Sequence, residues 1–347
     1  MLLLTLQDLR HRFGRVAIVT SIVTVVFALL FLMNGLVAQF HREPVVTTKS
    51  FGADAWVLST GVSGPFTSSA GVPLAKASSI AAGEVAPLVV ARSTLTRHGA
   101  TREVVLIGHS PERLGAPRII RGHAVSRPRE LVVDRTSGVH VGDEVTIGRT
   151  SFHVVGLTSD ATVLAGVPLA YVTLGDAQDL AFGSRSVVSG FLARGEAHVT
   201  DVDLSLHSNR AVATDTLHPL ENAIGSIDLI RALLWAVAIV VVGAIVYLSA
   251  LDRRRDMAVL KAVGASDARL GAGLAAQAVL IALVAVLVAA VLQRFLRPAF
   301  PMRVRVPAAD FWRVPLFASL AALAAAGAAI RVAVRTDPAL AFAGAGA

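Results

Sequence analysis

The sequence predicts a membrane protein: four transmembrane helices, with one mixed α+β extracytoplasmic domain inserted between the first and the second. Three observations predict it. Only 16% of the 347 residues are charged while 54% are hydrophobic, against about 25% charged in an ordinary soluble chain. The apolar residues are gathered into a few long runs. Between the first and second of those runs lies a long polar stretch of alternating, Gly- and Pro-punctuated segments.

The first run, Val16 to Ala38, has no charged residue. At about 1.5 Å rise per residue it can cross a hydrocarbon core of about 30 Å. A cleaved signal peptide has a shorter apolar region, about 7–15 residues, ending in a small-x-small site. Leu36-Val37-Ala38 fits that site poorly, so the run reads as a signal anchor. Ala232 to Ala250 and Leu270 to Leu292 read as the second and third spans. Pro315 to Ile330 is a shorter, alanine-rich fourth. Its small residues suit a helix packed against neighbours rather than one facing lipid. Arg331 can snorkel at its end, extending it over Val332 to Val334.

Arginine and lysine near span ends set orientation. Arg10, Arg12 and Arg15 precede span one. Arg253, Arg254, Arg255, Lys261 and Arg269 separate spans two and three, and Arg331 and Arg335 follow span four. With four spans these segments share one side, which is read as cytoplasmic with both termini inside. Arg294, Arg297, Arg303, Arg305 and Arg313 then fall outside. Two readings stand for them: contact with anionic lipid or with acids of the outer domain, or a site for an anionic substrate or lipid. The net charge of +8 with only 5% aromatic residues favours lipid headgroups over nucleic acid, whose bases need stacking surfaces.

Three regions follow: residues 1–39, 40–222 and 223–347. In the middle region Ala55 to Leu58, Glu103 to Ile107, Glu130 to Asp134 and Leu169 to Thr173 read as strands. Val145 to Ile147 and Phe152 to Gly156 form a hairpin around Gly148 to Ser151, and Asp176 to Phe182 is a short helix. Glu221 to Arg231 is an amphipathic lead-in to span two, where Asp228 and Arg231 can pair three residues apart.

Catalytic and cofactor motifs are missing. The sequence holds no phosphate-binding G-x-x-x-x-G-K-[ST], no H-E-x-x-H and no G-x-S-x-G. It has no cysteine either, so disulfides and thiolate chemistry are excluded. His98, His109, His123, His140 and His153 are scattered and read as surface or edge residues. Thr67-Ser68-Ser69 reads as a flexible polar loop. The chain is therefore expected not to be an enzyme, and to hold no metal or cofactor of its own.

Residues 251–266 are the most informative. Met257, Leu260 and Val263 recur every three residues and share one helix face, while Arg254, Arg255 and Lys261 make much of the rest polar. Gly264 suits a helix stop. Ser266 suits the N-cap of the next helix, and Asp267 favours its positive end. Such a short amphipathic helix lies along the interface or docks in the groove of a cytoplasmic partner. The alternative is a basic loop that only sets topology.

Arg253-Arg254-Arg255-Asp256-Met257-Ala258-Val259-Leu260-Lys261-Ala262-Val263-Gly264-Ala265-Ser266 resembles the R-R-x-E-I-A-x-L-x-A-x-G-A-[ST] signature of FtsX/MacB-type ABC transporter permeases, with Asp256 in place of the usual glutamate. Asp337-Pro338-Ala339-Leu340-Ala341 resembles the family's D-P-x-x-A ending. Gly52 to Val57, Val141 to Ile147 and Thr173 to Leu180 look like pieces of its outer core domain. The resemblance implies a permease in the bacterial cytoplasmic membrane, a homodimer paired with two cytoplasmic ATPase subunits that carry the ATP and magnesium. It implies that Arg253, Arg254, Arg255, Asp256, Met257, Leu260, Lys261, Val263, Gly264 and Ser266 contact the ATPase. The helix would pass the work of ATP hydrolysis to the outer domain. The expected outcome is export or extraction of a hydrophobic or amphipathic substrate; the alternative is activation of a cell-wall hydrolase or sensor outside the membrane.

Overall fold

The computed structural model describes residues 13–111, 113–252, 266–300 and 304–334. The chain divides into two compact units. One is built from residues up to Ala38 and from Gly225 onward; the other is Gln39–Ile224.

Four long helices form the first unit: α1 (Phe13–Ser50), which runs on into the other unit, α4 (Glu221–Asp252), α5 (Asp267–Leu296) and α6 (Asp310–Val334). Among the described residues three helical segments are long and apolar enough to cross a membrane: Thr20–Ser50, Asn209–Ala244 and Gly271–Ala299. Residues of α6 are not among them. The expected pair forms, with Arg231 Nη1 donating to Asp228 Oδ1 at 2.6 Å. Helix α1 carries Pro44 and continues twelve residues beyond Ala38. Pro44 removes one backbone donor from the helix, and the Thr48 hydroxyl, at 2.8 Å, donates to the Pro44 carbonyl one turn back.

The second unit is mostly strand. In chain order these are β1 (Ala55–Ser59), β2 (Val72–Pro73), β3 (Ile80–Ala81), β4 (Glu84–Arg97) and β5 (Ala100–His109). Next come β6 (Ile119–Gly122), β7 (Glu130–Asp134), β8 (Glu144–Ile147), β9 (Thr150–Thr158) and β10 (Thr162–Val163). The last are β11 (Val167–Thr173), β12 (Val187–Val188), β13 (Gly190–Arg194), β14 (His198–Val199) and β15 (Leu204–Ser208). Two short helices, α2 (Leu174–Phe182) and α3 (Asn209–Leu217), complete the unit.

The pairing closes a ring. Strand β4 pairs with β5, β5 with β11, β11 with β7, β7 with β9, β9 with β8, and β8 returns to β4. The other half of β4 pairs with β13, which leads through β1 to β15 as an antiparallel extension. Alternate side chains such as Leu106, Leu131, Ile147, Phe152 and Ala170 fill one core, as period-2 strands require. Residues of the opposite parity, among them Val105, Val132 and Tyr171, join Trp56 and Leu192 in a second. There Phe51, Trp56 and Phe66 meet edge to face at 5.1–6.1 Å between ring centres.

The structure alters several expectations. The strands around 103–107 and 169–173 are longer than predicted, and β4 is absent from the prediction. Its Pro87 argues against a strand. Yet Pro87 faces Phe191 at a position whose missing N–H points away from β13, and β5 pairing starts only at Val89. Helix α2 begins at Leu174 rather than Asp176 because the Thr173 side chain caps it, accepting from the Asp176 N–H at 3.2 Å. Helix α3 was also not expected; Ser208 caps it by accepting from the Ala211 N–H at 3.2 Å.

Candidate functional site

Where α5 and α6 of the helical unit meet, small residues are inside and large ones outside. Helix α5 buries Ala278, Ala282, Ala285 and Ala289, spaced four, three and four residues apart, and α6 buries Ala318, Ala322 and Ala325 at the same spacing. Such rows let two helix backbones approach closely. On the faces turned away, Leu287 is 64% exposed, Phe295 75% and Trp312 59%. In water this much contiguous apolar surface is a liability, whereas in a bilayer it is the lipid contact. Phe27 and Phe31 of α1 pack edge to face on Trp235 and stacked on Phe311, at 6.0 and 5.5 Å. A Cβ on Gly35 would lie 2.7 Å from Val304 Cγ1. The absence of a side chain there lets the segment after α5 lie directly on α1.

That segment carries the predicted outer arginines. Arg294 is exposed in the last turn of α5, and Arg297 Nε donates to Gln293 Oε1 at 2.7 Å. Arg305 is exposed beside buried Val304, while Arg303 lies outside the described residues. Close by in sequence, Asp310 is buried at the start of α6. Asn34 of α1 hydrogen-bonds its carboxylate, and Arg313 and Arg231 lie within electrostatic reach. Asn34, Arg231 and Asp310 form a polar knot joining three helices, a feature that the sequence reading missed because its members are far apart in the chain.

Of the residues assigned to ATPase contact, Arg253, Arg254, Arg255, Asp256, Met257, Leu260, Lys261, Val263 and Gly264 lie outside the described residues. Ser266 is described. It holds the N-cap position of α5 with extended backbone (φ −72°, ψ 146°), without a side-chain capping bond.

In the strand unit two ties, one buried and one exposed, fasten helices to the rest of the unit. Glu43, on the α1 extension, is 3% exposed. Its carboxylate accepts from the Thr162 hydroxyl and, at 3.0 Å, from the Ala165 N–H. Thr47 Oγ1 donates to the Thr162 carbonyl at 2.6 Å. The turn that receives Glu43 runs through three left-handed residues, Leu164, Ala165 and Gly166, an arrangement that points successive N–H groups at an anion. The second tie joins α3 to the loop before β2: Thr67 Oγ1 donates to Asp215 Oδ2, and Asp215 lies so close to Gly64 that no Cβ fits there. Thr67 is therefore an anchored loop residue, not a flexible one. Lys76 bridges Asp201 and Asp203 at 2.9 and 2.7 Å, and these mutual hydrogen bonds raise the Lys76 pKa and lower that of Asp201.

His109 corrects the reading of the histidines. It is 1% exposed, not at the surface, because it ends β5 in the middle of the sheet and packs on Tyr171 at 6.0 Å. Nδ1 lies 3.1 Å from the Ser110 carbonyl, and Nε2 has no partner among the described residues. Burial holds its pKa below the ordinary imidazole value.

Residues 229–338 match the FtsX-like permease C-terminal family. An ABC transporter permease of Mycobacterium bovis is 36% identical over 350 residues, covering 99% of this chain and 100% of the relative. A second one, from Mycobacterium tuberculosis, is 34% identical over 348 residues, with the same coverage. Among solved structures, the extracellular domain of the noncanonic ABC-type transporter YknZ from Gram-positive bacteria matches 43% of this chain and 84% of its own, at TM-score 0.30 and 13% identity. The periplasmic region of MacB from Actinobacillus actinomycetemcomitans matches 47% of this chain and 94% of its own, at TM-score 0.34 and 11% identity.

Proposed function

Given that this chain belongs to the FtsX/MacB-type ABC transporter permeases, we propose that it is a mechanical transmission subunit, driven by an ATPase on a separate chain. One observation carries the reading. In the helical unit α5 and α6 bury rows of alanine and leave leucine, valine and aromatic side chains exposed on their other faces, while the unit Gln39–Ile224 has an ordinary soluble protein's core. A single chain thus joins a membrane body to an aqueous domain. The sequence has no nucleotide-binding loop with which to power either.

In this reading α6 serves as the fourth span. Its buried alanine row lies against α5, and that partnership compensates for its lower share of large apolar residues. Both termini lie in the cytoplasm, and the domain 40–222 lies outside. Two copies of the permease work with two ATPase subunits, which hold the ATP and magnesium. The 251–266 segment docks on the ATPase through Met257, Leu260 and Val263. ATPase closure pulls on α1 and α4. The α1 extension, fixed to β10 and its turn by Glu43 and Thr47, carries the pull into the sheet. The substrate is hydrophobic or amphipathic, and Arg294, Arg297, Arg303 and Arg305 meet anionic headgroups at the outer surface.

The test is the ATPase rate of the reconstituted complex. Leu260→Asp places a charge on the apolar docking face, and stimulation of the partner's ATPase is expected to fall to its basal level with membrane insertion unchanged. Full stimulation by the variant contradicts the docking role. Retrieval of a cell-wall hydrolase with the complex, and no nucleotide-dependent release of an amphiphile, favours the regulatory role instead.

A further inference from the structure

The sheet of the outer domain has a notch. Strand β4 hands over from one neighbour to another along one of its edges: β13 pairs as far as Leu88, and β8 begins at Leu95. On the opposite edge β5 pairs continuously from Val89 to Arg97. Backbone polar groups alternate between the two edges of a strand. The Val90 N–H donates to Ser189 Oγ at 2.9 Å and the Ser189 hydroxyl donates back to the Val90 carbonyl at 3.1 Å. The Thr94 carbonyl accepts from the Gly148 N–H at 3.3 Å. Val90 and Thr94 therefore face the hand-over edge, and so does Arg92 between them. Among the described residues no partner fills that place: Arg92 presents its N–H and C=O to open space in the middle of a sheet.

The open space is a cavity of about 430 Å³. Val90 to Ser93 of β4 line it together with Val105 and Leu106 of β5. Phe66, Leu180 and Phe182 give it apolar walls, and Thr67 to Ser69 give it a polar one. The Arg92 guanidinium is only loosely held, 4.0 Å from Glu103 with both side chains more than half exposed. An unpaired strand edge is a template for another extended chain. One of a single residue's length accommodates one residue of an extended chain, whose N–H meets the Arg92 carbonyl and whose carbonyl, in the next amide, meets the Arg92 N–H. Aromatic and aliphatic walls beside that pair suit an apolar substituent on the same molecule.

We propose that this notch binds acylated peptides, pairing the N–H and C=O of the acylated residue with the Arg92 backbone and laying the acyl chain against Phe66, Leu180 and Phe182. The inference rests on the permease reading for its meaning, since it assigns the amphipathic substrate a chemical class. The polar wall that includes Thr67 is tied through Asp215 to α3, directly ahead of α4. Movement of α3 would therefore reshape the cavity.

The probe is a fluorescent N-hexanoyl dipeptide, short enough to stay out of lipid, titrated against the full chain in nanodiscs without nucleotide. Its partner probe replaces the amide N–H by an ester oxygen. The amide is expected to bind about tenfold more tightly than the ester, the effect of one hydrogen bond in a shielded site. Arg92→Pro deletes the outward N–H along with the guanidinium and breaks no β5 ladder bond, because Arg92 is not hydrogen-bonded to Val105 across that ladder. Arg92→Ala removes the guanidinium and keeps that N–H. The proline variant is expected to bind the amide probe about tenfold more weakly than the alanine variant. Equal binding of amide and ester by the natural chain overturns the proposal, as does equal binding by two folded variants. If the proline variant does not fold, the amide-to-ester ratio decides alone. Partner ATPase stimulation is a separate readout: its persistence when notch binding fails refutes the notch and leaves the permease reading standing.

Discussion

The α5–α6 seam of the helical unit and the core of the strand unit bury opposite kinds of side chain. The strand unit hides Trp56, Phe152, Phe191, Leu106 and Ile107 and exposes arginine, serine and glutamate. The helical unit hides a seam of alanine and exposes Leu280, Leu287, Val291, Phe295, Leu316 and Leu320. Water explains the first arrangement: large apolar side chains bring the greatest gain when removed from it. It cannot explain the second, because in lipid a leucine gains little by moving inside. Helix contact there depends on close backbone approach, which small residues allow. Equivalent substitutions should therefore have opposite consequences in the two units.

Truncating a large residue in the outer core has the largest effect. Trp56→Ala empties the centre of the aromatic cluster and strands the Asn209 carbonyl, which accepts from Trp56 Nε1 at 2.7 Å. A loss of about 3–5 kcal/mol is expected, read as a lower midpoint of denaturant unfolding followed by near-ultraviolet circular dichroism. In the helical unit enlargement is the damaging change. Ala285→Leu forces α5 from α6 at a cost of about 1–3 kcal/mol, whereas Leu287→Ala, two residues on, changes stability by less than about 0.5 kcal/mol. Detergent titration of the purified protein compares them, and equal losses would erase the distinction between the units.

The smallest effect is a pH dependence confined to the outer unit. Burial keeps the folded pKa of His109 below its unfolded value of about 6.5. The folded state then binds fewer protons than the unfolded one, so this contribution is complete above pH 6.5 and is lost as the pH falls through that value. His109→Phe should flatten the acid limb of the unfolding midpoint against pH between about 5 and 7. An unchanged limb would assign the acid sensitivity to other groups.

Much of this was legible in the sequence, and what was not has a physical cause. Long uncharged runs announce α1, α4 and α5 because no polar residue interrupts them. Alternating segments announce β1, β5, β7, β9 and β11. Strand β4 was hidden by Pro87, whose cost vanishes only because its N–H side has no partner, a fact of pairing rather than of sequence. The burial of His109 depends on where β5 lies among its neighbours, and the ring it helps close joins strands far apart in the chain. The contact role of Arg253 to Gly264 was read entirely from spacing and family likeness. The knot of Asn34, Arg231 and Asp310 and the notch at Arg92 arise from residues brought together by folding, and no local pattern announces either.

The central claim is that the 251–266 segment faces the ATPase side of the membrane while the strand unit faces the other. Because the chain has no cysteine, one introduced thiol reports its own location. Val202→Cys lies at a site 88% exposed in the outer domain, and Arg254→Cys lies in the docking segment. With a membrane-impermeant maleimide on intact cells, the account predicts labelling at 202 and none at 254 until the membrane is opened. Labelling at 254 in intact cells, or protection at 202, would contradict it.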